Sequence, residues 1–290
     1  MKVRFLGTAA GGGLPQWNCA CAGCVTARRT GTGRTQDCLA VTGDGRAWYL
    51  LNASPDLRTQ LVATPELAPG PGLRDTPLRG VLCSSAELDH TLGLITLREA
   101  TSLAIYATAP VRAALSGPFP AGPILARYTR VDWYDVGPGE PFLVDGGLMV
   151  TAITLGAKRP RYADGLPGED WVVAYRIADA ATGGVLVYAP CLAEWGEAFV
   201  AAIEGADVVV VDGTFLHDDE MTREAGGGRP ASAMGHLPIE DTLGKLPSGT
   251  RFLYTHLNNT NPVARPDAPE LSRLVAAGAE VAADGQLIEL

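Results

Sequence analysis

With only four histidines in 290 residues, the chain is too poor in imidazole for a His-rich multinuclear metal centre, so any catalytic ion is single and borrows carboxylates. No run approaches the ~18 apolar residues a membrane-spanning helix requires. The amino terminus, Met1-Lys2-Val3-Arg4-Phe5-Leu6-Gly7, alternates apolar and polar positions without the sustained apolar stretch of a secretion signal. Basic charge is also short: 23 Lys and Arg face 32 Asp and Glu, and the net charge of −9 excludes a general affinity for nucleic acid or anionic lipid. Linkers, charge blocks, low-complexity tracts and repeats of roughly 20–50 residues are missing. Hydrophobic residues at 47% and charged ones at 19% rule out disorder. These absences imply a cytoplasmic globular protein, in which six cysteines are thiols or metal ligands, not disulfides.

What is present is a great deal of strand. Short β-branched or aromatic runs fall at residues 3–6, 47–51, 80–83, 103–107, 131–136, 148–155, 171–177, 184–189, 207–211 and 251–255. Helical patterns fall between them at 91–100, 194–203, 239–246 and 269–277. The all-apolar run Val208-Val209-Val210-Val211 needs cover on both faces of its sheet, which points to a layered α/β sandwich. One internally duplicated domain over residues 1–290 is preferred to two independent ones.

The densest chemical signal is Cys19-Ala20-Cys21-Ala22-Gly23-Cys24, three thiols that can converge on one tetrahedral ion while the small residues let the loop wrap around it. Zinc is the natural occupant of such a soft structural site, and a fourth ligand must come from elsewhere. Asp89-His90 follows the strand at 80–83, Asp212 ends that at 207–211, and His256 ends that at 251–255. All four reach the carboxyl ends of strands, where open α/β sheets place their sites, and together they make a mononuclear ligand set. His236 serves either as an acid or base beside that set or as helix-start packing. His217, within His217-Asp218-Asp219-Glu220, reads as a solvated loop. Lys158-Arg159-Pro160-Arg161 reads either as a surface turn or as a clamp for substrate carboxylates. The loop Ala10-Gly11-Gly12-Gly13 lacks the spacing of a phosphate-binding fingerprint.

Longer blocks carry a resemblance. Residues 5–13, Pro15-Gln16-Trp17-Asn18-Cys19, Ser84-Ser85-Ala86-Glu87-Leu88-Asp89-His90, Met234-Gly235-His236-Leu237 and His256-Leu257-Asn258-Asn259-Thr260-Asn261-Pro262 resemble the PQQ (pyrroloquinoline quinone) biosynthesis protein B family. That family is a branch of the metallo-β-lactamase superfamily, so the resemblance implies a four-layer αββα metallo-β-lactamase-like sandwich with pseudo-duplicated halves. It also puts Ser85 and Glu87 where most superfamily hydrolases have the first two histidines of their His-x-His-x-Asp-His block. One metal site is thereby stripped of its nitrogens, while the other survives as Asp89, His90, Asp212 and His256. The family then implies iron(II) at this site and O2-dependent hydroxylation of the tyrosine ring of a cross-linked Glu-Tyr precursor. In that reading His236 moves protons, and Lys158, Arg159, Ser85 and Glu87 contact the small-molecule substrate. The alternative is a carrier of PQQ or its precursor assisting transport to the periplasm; a residual hydrolase is disfavoured by Ser85 and Glu87. Related phosphodiesterases take their fourth zinc ligand from a position that is Asn259 here, so Asn259 or water would complete the structural zinc shell.

Overall fold

The computed structural model describes residues 1–290. Fourteen strands run through the chain. The first six are β1 (Lys2–Gly7), β2 (Cys38–Thr42), β3 (Trp48–Leu51), β4 (Leu78–Leu82), β5 (Ser102–Ala107) and β6 (Arg130–Asp135). The remainder are β7 (Phe142–Val144), β8 (Leu148–Gly156), β9 (Val172–Asp179), β10 (Val185–Ala189), β11 (Val208–Asp212), β12 (Arg251–Thr255), β13 (Ala279–Val281) and β14 (Leu287–Glu289). They form two seven-stranded sheets, ordered β14-β1-β2-β3-β4-β5-β6 and β13-β12-β11-β10-β9-β8-β7. Each sheet is antiparallel on one side, across β1–β3 and β7–β10, and parallel on the other, across β3–β6 and β10–β13.

The sheets pack face to face. Val3, Phe5, Tyr49 and Leu82 of the first meet Val150, Tyr175, Tyr188 and Leu253 of the second in one buried cluster. Strand alternation explains the remaining faces: Val208 and Val210 point into that cluster, Val209 and Val211 into another on the outside. The run of four valines is therefore covered on both sides, as its lack of polar positions requires. The α-helices supply the outer layers: α1 (Ala22–Thr30), α2 (Leu57–Ala63), α3 (Leu88–Thr91), α4 (Ala109–Ser116), α5 (Ala121–Leu125), α6 (Glu197–Ile203), α7 (Glu220–Ala225) and α8 (Leu271–Ala276). α2, α4 and α5 bury Leu57, Leu115 and Leu125 against the first sheet; α1, α6 and α8 bury Ala27, Phe199 and Leu274 against the second. The expected αββα sandwich is the observed fold, and no helix is long and apolar enough to cross a membrane.

Several local expectations are revised. Residues 239–246 form two 3-10 turns, Ile239–Asp241 and Leu243–Lys245, because Pro238 precedes them and Thr242 bonds its hydroxyl back to Ile239 O at 2.7 Å. The segment 91–100 is mostly 3-10 as well, over Leu92–Glu99. His217 is not solvated loop: its Nδ1 lies 2.8 Å from Glu240 Oε2, with the ring largely covered. Short elements with little apolar periodicity, among them α1, β2, β7, β13 and β14, have no counterpart in the sequence pattern.

Two contacts fix the connections that frame the site. Gly93 lies against the loop after β3, where an added Cβ would fall 2.0 Å from Ser54 O and 2.8 Å from Ala53 O. The same backbone is stitched to the His90 segment by Ala53 N to His90 O at 2.6 Å and Gly93 N to Ala53 O at 2.9 Å. Glu220 is buried and accepts hydrogen bonds from Leu216 N at 2.7 Å and Thr260 Oγ1 at 2.6 Å. Burial pushes its carboxyl up to about 7, the hydrogen bonds returning only part of the shift.

Gly93→Ala is expected to destabilise by at least ~1–3 kcal/mol, because the colliding atoms are backbone, and to displace the segment carrying His90. Denaturant melts together with metal content measure both effects. Glu220 holds a proton in the folded state at pH values where the unfolded chain has lost it. Its contribution is thus fully present below its ordinary value near 4.5 and is lost as pH rises through about 7. Denaturation at pH 5 and pH 8 should show the stability gap between wild type and Glu220→Gln moving toward the variant at pH 8, by on the order of 2–3 kcal/mol.

Candidate metal centre and its cavity

The carboxyl ends of β4, β10, β11 and β12 converge along one edge of the sandwich. Asp89 and His90 sit on α3, just beyond β4; Asp212 is the last residue of β11; His256 is the first residue after β12. His256 has φ of +56°, a left-handed conformation uncommon for a non-glycine residue. Chain pairing and hydrogen bonds on both sides hold it there, an arrangement that clusters at functional sites.

The imidazoles are individually oriented. His90 is fully buried, its Nδ1 2.7 Å from Ser85 Oγ, and its Nε2 has no hydrogen-bond partner. His256 Nε2 lies 3.0 Å from Asp89 Oδ2 and its Nδ1 2.8 Å from Thr214 Oγ1. His236 Nδ1 lies 2.7 Å from Asp212 Oδ2 and 3.0 Å from the same Thr214 hydroxyl. Asp212 also accepts from Thr214 N at 2.9 Å, from Thr214 Oγ1 at 2.6 Å and from Leu192 N at 2.8 Å. An ionised carboxylate accepts about four hydrogen bonds, so Asp212 is saturated as it stands.

Electrostatics separate the histidines. Burial drives the His90 pKa down to about 4 despite the neighbouring Asp89, leaving it a neutral ring. Burial opposes protonation of His256 as well. There, the hydrogen bond to Asp89 and the charges of Asp89, Asp37 and Asp212 win and raise it to about 9. Burial would raise the Asp89 and Asp212 carboxyls, but histidine charge and hydrogen bonding hold both below the usual carboxylate range.

The structure therefore brings Asp89, His90, Asp212 and His256 to one place, though not equivalently. A ring nitrogen of His90, one of His256 and the sulfur of Cys191 all lie within 4.8 Å of one another. Ligand atoms of Asp212, His236 and His256 form a second such group. The donor set fits a metal ion: a buried imidazole nitrogen with nothing to bond faces a cluster of nitrogen, sulfur and carboxylate donors.

Cys191 and Thr214 escaped the sequence reading. The strand-end argument applied to 184–189 would have reached Cys191, which follows β10 after a single proline. Ser85 lines the cavity and also orients an imidazole, its hydroxyl lying 2.7 Å from His90 Nδ1 and accepting from Glu87 N at 3.2 Å.

A cavity of about 900 Å³ opens over this edge and includes Glu87, Asp89, Cys191, His236 and His256 in its wall. Lys158, Arg159, Arg161 and Arg229 also line it. Lys158 donates to Met234 O and Arg159 to Leu166 O, each retaining further donors.

The three thiols of Cys19, Cys21 and Cys24 lie within 4.8 Å of one another. Backbone amides donate to two of the sulfurs, Gln16 N to Cys24 at 3.3 Å and Cys21 N to Cys19 at 3.4 Å. Asn259 presents its amide nitrogen, 3.2 Å from the Cys19 sulfur and 3.4 Å from that of Cys21. In this orientation it donates to both sulfurs. Burial raises the Cys21 thiol, but hydrogen bonds from Cys24, Asn259 and Cys19 outweigh it and lower the pKa; burial lifts Cys24 to about 11.

A Beta-lactamase superfamily domain model matches residues 47–256, which defines the class: a metallo-β-lactamase-fold protein. Within that class, the chain is 42% identical over 307 residues to the coenzyme PQQ synthesis protein B of Azoarcus sp. (strain BH72), covering 100% of both. It is 41% identical to the protein of the same name from Cupriavidus necator, covering 100% of this chain and 99% of the relative. The crystal structure of Zn(2+)-bound PqqB from Methylobacterium extorquens superposes with a TM-score of 0.91 at 36% identity over 100% of both chains. The chain belongs to the coenzyme PQQ synthesis protein B family. A diphosphatase from the PhnP family, at 19% identity and TM-score 0.71 over 100% of this chain and 96% of that one, shares the fold.

Replacing Cys24 with serine is expected to remove about one zinc per chain and to lower the melting temperature, since thiolate-bound zinc contributes directly to folding. Elemental analysis beside a thermal melt checks it; unchanged zinc content would contradict the assignment of these thiols to an ion.

Proposed function

We propose that the protein serves coenzyme PQQ synthesis as an iron(II)- and O2-dependent hydroxylase of the tyrosine ring in a cross-linked Glu-Tyr precursor. The relatives' names support the pathway. The observation that carries the site is His90 Nε2, buried and unpartnered beside His256 and Asp89. The positions where a second ion would need nitrogen hold Ser85 and Glu87, one spent on orienting His90, the other a carboxyl that burial and Asp89 raise. A single ion lacks the bridging hydroxide of dinuclear hydrolases, which weakens that mechanism, and imidazole with carboxylate donors suits iron(II).

Asp89, His90 and His256 would hold the iron, and Asp212 can join them only by releasing a hydrogen bond, most simply that to His236. Bound there, iron(II) supplies the one-electron reactivity toward dioxygen that side chains lack. The other roles belong to the protein. Ser85 and Thr214 accept the Nδ1 hydrogens of His90 and His256, so that each ring presents Nε2 to the ion. His236 donates Nδ1–H to Asp212, which leaves Nε2 as the basic side of a ring that lines the cavity and can take the phenolic proton. Lys158, Arg159, Arg161 and Arg229 give the wall the positive charge needed to hold the carboxylates of an amino-acid-derived substrate. The cavity volume of about 900 Å³ suits a small molecule of that size. A zinc ion at Cys19, Cys21 and Cys24 would tie the loop before α1 to Asn259, three residues beyond His256.

Hydroxylation places one oxygen atom on the ring and releases the other as water, which takes two electrons from an external reductant. The test therefore loads anaerobically prepared protein with iron(II), then supplies the cross-linked diamino acid, ascorbate as electron donor, and oxygen. Oxygen uptake and a product that has gained oxygen mass are expected. His256→Asn, a replacement suited to the left-handed backbone, should reduce both to the level of ion-free protein and leave thiolate-bound zinc in place. Iron-loaded wild type that consumes no oxygen and yields no heavier product would overturn the proposal.

A further inference from the structure

Cys191 sits between β10 and a backbone that cannot drift. Leu192 N donates to Asp212 Oδ2 at 2.8 Å, and Leu192 O accepts from Leu237 N at 2.6 Å. The thiol is half-buried, lines the cavity and forms no disulfide. Its sulfur shares a 4.8 Å group with nitrogens of His90 and His256. The hydrogen bonding of the His90 ring bears on the same group. His90 is fully buried, Ser85 occupies its Nδ1, and its Nε2 has no hydrogen-bond partner. A shared ion would give this unpartnered nitrogen and the neighbouring sulfur a common partner.

We infer that Cys191 is a thiolate ligand of the ion held by His90 and His256, which changes the site from nitrogen and carboxylate donors alone to one with a soft sulfur donor. The inference rests on the reading above that an ion occupies this edge of the sandwich. On binding, the S–H bond gives way to a sulfur–metal bond and the thiol proton leaves to buffer. Without an ion the sulfur stays protonated, because burial and the charges of Asp212 and Asp89 disfavour a free thiolate. A sulfur donor also shifts preference toward softer divalent ions than a carboxylate would select.

Cobalt(II) is the probe. Protein that keeps zinc at Cys19, Cys21 and Cys24 but has been stripped of any second ion is titrated anaerobically as wild type, Cys191→Ser, Cys191→Ala and His256→Asn. Wild type is expected to take up about one cobalt per chain with a sulfur-to-cobalt charge-transfer band in the near ultraviolet. It should also release about one more proton per ion than Cys191→Ala. Both Cys191 variants, shown to be folded by circular dichroism, should lose the band, whether cobalt is still bound or no longer bound at all. His256-dependent cobalt binding without the band in wild type, or a band that persists in both Cys191 variants, would overturn the inference. Wild type that takes up no His256-dependent cobalt overturns the site reading itself, and the thiolate assignment with it.

Discussion

The contact between Asp89 and His256 joins the two sheets where their parallel strands end. Asp89 follows β4 of the first sheet and His256 follows β12 of the second, and 3.0 Å separates carboxylate oxygen from ring nitrogen. The first sheet contributes Asp89 and His90 to this place, and the second contributes Cys191, Asp212 and His256. The inter-sheet core, with aromatic residues such as Phe5, Tyr175 and Tyr188, sets the spacing at which that contact forms. A site of this kind is a property of the seam, so its geometry is as rigid as the packing on either side of it.

Behind the seam, hydroxyl groups settle which nitrogen of each ring faces inward. Thr214 serves His256 and His236 with one oxygen while giving its own hydrogen to Asp212, and Ser85 serves His90. Beneath them, Asp37 is buried between the sheets, bonded to Tyr188 and Thr255. Burial pushes its carboxyl up to about 6 against the pull of His256, so the charge of the seam responds to what His256 carries. A cation at His256 would replace its proton as the counter-charge to Asp89, which couples ion uptake to proton release.

The fold was legible because its strands are short, apolar and regularly punctuated, and because Val208 to Val211 could only be a strand covered on both faces. Elements whose burial comes from tertiary contact escaped that reading. Helix α1 starts inside the cysteine loop with little apolar signal, and the 3-10 turns at 239–245 imitate a helical stripe without the length to form one. Asp89, His90, Asp212 and His256 were accessible from strand ends, whereas Thr214 and Ser85 are ordinary hydroxyl residues until the rings they orient are in place. Which way the Asn259 amide faces is settled by sulfurs more than 200 positions earlier, a relation no local pattern encodes.

The left-handed backbone at His256 bears on what can stand in for its side chain. Glycine is at ease with that torsion, so truncating the residue entirely disturbs the main chain less than shortening it to alanine would. What remains is a hole the shape of the missing ring, roofed by Asp89 and floored by Thr214, whose partners keep their places. Such a gap can admit a dissolved heterocycle, and the seam thereby offers an entry for a ligand supplied from solution in place of one encoded in the chain.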